Sequence, residues 1–86
     1  MKYRVDLTPA AQKDLRRLDA PARQRILGKM VALENQPRPP GTKRLQGEDP
    51  QYRVRVGDYR VIYEIYDREL LVLVIRVAHL SFAYRR

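Results

Sequence analysis

The residues of this chain best suited to chemistry are three arginines, Arg53, Arg55 and Arg60, inside the stretch QYRVRVGDYRVIYEI that runs from Gln51 to Ile65. Gly57-Asp58 is a two-residue turn signal between alternating runs, which predicts a tight β-hairpin with Val56 opposite Tyr59. Counting outward from that turn puts Tyr52, Val54, Val56, Tyr59, Val61 and Tyr63 on one face, the expected core side. The other face collects the arginines, with Arg55 across from Arg60 and Arg53 across from Ile62. Like charges placed opposite each other destabilise a strand pair, so this face is expected to meet something negative, and an RNA backbone is the candidate. The plainer alternative is a solvated outer surface of an antiparallel sheet.

Cutting RNA without a metal requires the 2′-hydroxyl to attack the adjacent phosphorus. A base takes its proton, cations steady the added negative charge, and an acid protonates the departing 5′-oxygen. No His, Cys and carboxylate cluster in the sequence has metal-ligand spacing, so no metal or other cofactor is expected. A guanidinium does not readily release a proton, but its planar fork suits phosphate oxygens; Arg53, Arg55 and Arg60 are therefore assigned to phosphate and transition-state binding. The one histidine, His79, serves either as a strand-end residue or as a proton carrier. Tyr84 either packs near the terminus or stacks on an unpaired base. Glu64, on the arginine face, is read as an ion-pair partner for a neighbouring arginine.

Composition bounds these readings. Eighty-six residues allow one small domain, 1–86, with a modest core. The absence of cysteine fits a reducing cytoplasm, and no apolar run is long enough for a signal peptide or a membrane span. A net charge of +8 draws polyanions. Without a basic helix bearing bulky aromatic residues for lipid, nucleic acid or an acidic protein is the expected partner.

The elements that must carry the arginines follow from periodicity. Tyr3, Val5 and Leu7 alternate in a first strand over Lys2 to Leu7. Thr8-Pro9 starts a helix with Ala11, Leu15 and Leu18 inward, ending near Leu18. Asp19, with Pro21 behind it, caps a second helix to about Asn35 with Ala22, Ile26, Met30 and Leu33 buried. Pro37 to Pro50 reads as an irregular connection long enough to be functional, with Lys43 and Arg44 as candidate RNA contacts and Leu45 tacking it to the core. After the hairpin, LLVLVIRVA reads as a buried strand. A two- or four-residue loop would turn Leu70, Val72, Val74 and Arg76 inward; a three-residue loop would turn in Leu71, Leu73, Ile75 and Val77. The second is preferred because it brings Arg76 to the arginine face beside Arg60. The tail from His79 to Arg86 shows no clear periodicity. The fold class is α+β, of order β-α-α-β-β-β: an N-terminal strand, a helical hairpin, then a three-stranded antiparallel meander with the helices on one face of the sheet.

Taken together, the Thr-Pro helix start, Lys43-Arg44-Leu45-Gln46-Gly47, Tyr52-Arg53-Val54-Arg55-Val56, Gly57-Asp58-Tyr59-Arg60-Val61-Ile62-Tyr63, and Val77-Ala78-His79 followed by Tyr84-Arg85 resemble the RelE/ParE superfamily of bacterial toxins, most closely its RelE branch. The resemblance covers essentially the whole chain. It implies a ribosome-dependent mRNA endonuclease working without a metal in the decoding site. It also implies a cognate antitoxin, RelB-like and acidic or partly disordered, through which alone the protein would oligomerise. Arg53, Arg55, Arg60, His79 and Tyr84 match the family's catalytic pattern, with Lys43, Arg44, Arg76 and Arg85 as further RNA-binding candidates. Leu80 departs from the pattern, standing where an arginine is expected; the departure implies a weakened enzyme, or one in which Arg76 or Arg85 fills the place. With arginine rather than lysine at 53 and 55, His79 or Tyr84 would carry more of the proton transfer. A gyrase-poisoning toxin of the ParE type is the alternative, since one fold serves both.

Overall fold

The computed structural model describes residues 2–47 and 51–83. The first strand, β1 (Arg4–Leu7), leads directly into α1 (Pro9–Arg16), and α2 (Ala20–Leu33) follows after a short corner. Both helix starts are side-chain caps of the expected kind. Thr8 Oγ1 accepts from the Ala11 amide at 3.1 Å, and Asp19 Oδ1 accepts from the Ala22 amide at 2.9 Å; each satisfies an amide that a helix start leaves without a partner. The α2 stripe is as predicted, with Ala22, Ile26, Met30 and Leu33 buried, and on α1 Ala11 and Leu15 are buried, while Leu18 lies just past the end of the helix, half-buried against the core. No helix among the described residues is long and apolar enough to cross a membrane.

The hairpin forms in the predicted register between β3 (Gln51–Val56) and β4 (Tyr59–Tyr66), with Val56 opposite Tyr59 and Arg55 opposite Arg60. Gly57 takes φ +60° at the first turn position, where a residue with a Cβ is disfavoured. Val54, Val61, Tyr63 and Ile65 are buried toward the helices together with Val72, Val74 and Val77 of β5 (Leu71–His79). Full burial of one such aliphatic side chain stabilises the fold by about 1.5–3 kcal/mol.

Several features differ from the expectations. The connection after α2 is not wholly irregular: it contains β2 (Lys43–Arg44), which pairs antiparallel with β3. Leu45 is only half-buried, and what fastens it is the backbone bond from its amide to Gln51 O at 2.9 Å, not core packing. The three-stranded meander is thereby part of a five-stranded mixed sheet of order β1-β5-β4-β3-β2, with β1 parallel to β5.

The preferred register of β5 holds for only half of the strand. Tyr66 pairs with Leu71 across the four residues Asp67 to Leu70, so Val72 and Val74 point into the core. A bulge then skips Ile75, with Tyr63 opposite Val74 and Ile62 opposite Arg76, and Val77 becomes the inward residue. An extra residue reverses the facing of everything beyond it. The carbonyl of bulged Ile75 accepts from Thr8 Oγ1 at 2.8 Å, so one hydroxyl serves the helix cap and the bulge together. The tail, expected to be featureless, opens with a short helix, α3 (Leu80–Ala83), whose first amide bonds Asp58 O in the hairpin turn at 2.8 Å.

Candidate nucleic-acid interface

The face of the hairpin turned away from the helices carries a cleft of about 220 Å³ lined by Gly41, Lys43, Arg53, Arg55 and Arg60. Register explains the grouping. Arg55 and Arg60 are paired across β3 and β4, and Lys43 is paired with Arg53 across β2 and β3, so all four cations share one side of the sheet. Arg55 Nε donates to Gly57 O at 2.8 Å, which leans its guanidinium toward the turn. No salt bridge among the described residues reaches Lys43, Arg53 or Arg55. Four cations held together on one face form a surface suited to phosphate.

Lys43 enters this cleft because the loop before it is fastened to the sheet. The hydroxyl of fully buried Tyr63 donates to Pro37 O at 2.8 Å and lies 3.4 Å from Thr42 Oγ1. Arg38 forks onto Asp67, with its closer contact at 2.9 Å, and lies over the Tyr52 ring at 5.1 Å. Tyr3 donates to the same carboxylate at 2.6 Å. The hydrogen bonds from Arg38 and Tyr3 hold the Asp67 carboxyl below its usual range, while burial pushes the Tyr63 phenol up. Tyr63 belongs to the core, as expected, Tyr52 is half-buried against it, and both also anchor the loop that delivers Lys43.

The other described site candidates lie elsewhere. Arg44 pairs with Tyr52 and so points to the opposite face from Lys43. Arg76 stands opposite Ile62, but its guanidinium grips Asp14 of α1, Nε to Oδ2 at 2.8 Å and Nη2 to Oδ1 at 3.2 Å, and takes no part in the arginine cleft. Asp14 also accepts the Val77 amide at 2.9 Å, where the edge of β5 runs past the end of β1. Burial raises the Asp14 carboxyl, but the bonds from Arg76 and Val77 outweigh it and leave the group below its usual value.

His79 pairs with Tyr59, on the core side, and its ring meets the Tyr59 ring edge-on at 5.2 Å. It lines a separate cleft of about 670 Å³ with Asp14, Arg17, Arg76 and Ser81. Its Nδ1 accepts the Ser81 amide at 3.1 Å, which leaves the proton of the neutral ring on Nε2. The structure thus sets His79 in a different cleft from Arg53, Arg55 and Arg60. The expectation for Glu64 is corrected: it bonds Gln51 and Tyr66 instead of an arginine. Tyr84 and Arg85 lie outside the described residues.

A family model described as the ParE toxin of the type II toxin–antitoxin system parDE matches residues 5–84. The chain belongs to the RelE/ParE toxin superfamily. Among curated relatives, it is 30% identical over 79 residues to the mRNA interferase toxin RelE of Escherichia coli K12, covering 90% of this chain and 82% of that protein. It is 28% identical over 88 residues to the putative toxin RelE1 of Methanocaldococcus jannaschii, covering 99% of this chain and 98% of the relative. The toxin fold also matches a chain of the archaeal RelE-RelB complex from Pyrococcus horikoshii OT3, with TM-score 0.84, 29% identity, and coverage of 94% of this chain and 98% of that one.

Against this RelE/ParE background, the position that departs from the expected pattern, Leu80, is half-buried at the start of α3 and is stapled by its amide to the hairpin turn. Sequence reasoning named Lys43 without finding the strand that aims it. A two-residue strand leaves no alternation to read; the only available signal was the tyrosine hydroxyls needing partners in a buried setting.

Proposed function

We propose that this toxin is a ribosome-dependent mRNA endonuclease that cuts by 2′-hydroxyl attack, with Arg53, Arg55 and Arg60 holding the scissile phosphate and steadying the charge that builds on it. The observation that carries the reading is the convergence of these arginines with Lys43 in one cleft on the side of the sheet the helices leave open. The arginine forks offer several donors to each phosphate of a single strand laid across the cleft. The Escherichia coli relative is named an mRNA interferase, which supports the same activity here. With His79 on the other side of the sheet, proton transfer falls to groups on the cleft side, and Tyr84 remains the proposed stacking residue. The partner is a cognate antitoxin resembling RelB, supported by the Pyrococcus RelE solved with its RelB. An acidic, partly disordered segment would fit a chain of charge +8.

The second reading is a gyrase poison that cleaves no RNA; the match to a ParE description and Leu80 in place of arginine favour it. Adding the protein to translating ribosomes and mapping mRNA ends separates the two. Codon-phased cuts are expected. Intact mRNA together with trapped gyrase–DNA complexes would overturn the nuclease reading.

A further inference from the structure

Proton transfer in the cleft needs a group that gives up a proton readily, and three of the four cations there hold theirs tightly. Arginine holds its proton more tightly than lysine does, so Arg53, Arg55 and Arg60 are suited to binding and polarising the phosphate and are the poorer proton donors. His79 lies on the opposite face, and Glu64 sits at the far end of the hairpin from the turn, opposite Gln51 and bonded by Gln51 and Tyr66. Among the described residues lining the cleft, Lys43 is the side chain that releases a proton most readily.

Its placement is also controlled. Lys43 is directly opposite Arg53 in a two-residue strand, held on one side by Leu45 N to Gln51 O and on the other by the Tyr63, Pro37 and Thr42 cluster. No ion pair among the described residues occupies it. A loop lysine serving only as general positive charge would not need its flanking backbone fastened to the core by a buried tyrosine.

We propose that Lys43 is the general acid of the cleavage step, an assignment that rests on the nuclease reading above. The 2′-oxygen forms a bond to phosphorus and its proton passes to solvent water. The bond from phosphorus to O5′ breaks, and the Lys43 ammonium delivers a proton to that oxygen. The products are a 2′,3′-cyclic phosphate and a 5′-hydroxyl end, and the Lys43 amine regains its proton from water, so no proton is gained or lost overall. Arg53, facing Lys43, holds the phosphate whose leaving oxygen is protonated.

The test compares wild type with Lys43→Arg and Lys43→Ala in single-turnover cleavage of ribosome-bound mRNA, using two messages: one natural, and one with sulfur in place of the bridging 5′-oxygen at the cut site. A thiolate leaves without being protonated. On the natural message Lys43→Arg is expected to bind within a few-fold of wild type and cleave about 100-fold slower or worse, the usual range for loss of a general acid. On the sulfur-bridged message it should cleave within a few-fold of wild type. Lys43→Ala should match Lys43→Arg in rate while binding more weakly. A Lys43→Arg variant that cuts the natural message at the wild-type rate, or is slowed equally on both messages, overturns the assignment while leaving the nuclease reading standing. No cutting by the wild type overturns the nuclease reading itself.

Discussion

Lys43 and Arg53 stand directly opposite each other on β2 and β3, so a residue from the loop and a residue from the hairpin share one face and one cleft with Arg55 and Arg60. Like charges in that position lower the stability of the sheet. The arrangement is compensated when a polyanion lies across it.

Arg60→Ala should reduce mRNA cleavage about 100-fold or more, the scale seen when a preorganised donor to a transition state is removed. Antitoxin binding should stay within a few-fold. Cleavage close to normal would show that Arg60 does not touch the reacting phosphate.

Affinity for single-stranded RNA should fall with salt, and Arg53→Ala should reduce the slope of log affinity against log salt by about 0.7, the expected contribution of one phosphate contact to a single strand. A fluorescence titration at several salt concentrations measures this. An unchanged slope would remove Arg53 from the interface.

Tyr63→Phe deletes the hydroxyl that meets Pro37 O and Thr42 and leaves a carbonyl without its partner. The expected loss of stability is about 1–3 kcal/mol by urea denaturation. RNA binding should weaken with it only while Lys43 is present, so the loss should be smaller in a Lys43→Ala background. Simple additivity of the two changes would show that the loop does not position Lys43.

The Asp14 carboxyl titrates below its ordinary value in the folded chain. Its stabilising contribution is therefore complete above the unfolded carboxylate pKa, about 3.9, and is lost as pH falls through the lower folded value. Asp14→Asn should lower stability at neutral pH and flatten the acid side of the stability profile. A profile below about pH 4 that is as steep as wild type would place the acid sensitivity elsewhere.

The hairpin was legible from the amino acids alone because two independent signals agree there: a Gly-Asp turn and a strict alternation that buries one face. The helix caps at Thr8 and Asp19 were legible for a similar reason, since each cap residue is followed by a proline within two positions and an apolar stripe. The last strand was not, because valine, leucine and isoleucine on both faces erase the alternation that would reveal a bulge. Arg76 does reach the arginine side of the strand, opposite Ile62, but its guanidinium grips Asp14 of α1, a tertiary contact that no periodicity reveals. The preferred count sets His79 with Val77 on the core face, where it is found beside Tyr59 and apart from the arginine cleft. The second strand was hidden for another reason: two residues joined to the sheet through tertiary contacts of Arg38, Thr42 and Tyr63 leave no local pattern.

The most direct test of the central claim is to map mRNA ends in a translation reaction containing either the wild-type chain or the variant with Arg53, Arg55 and Arg60 all changed to alanine. The account predicts codon-phased cuts from the wild type and none from the variant, with both still captured by the antitoxin. Equal cutting by the two proteins, or none by the wild type, would contradict it.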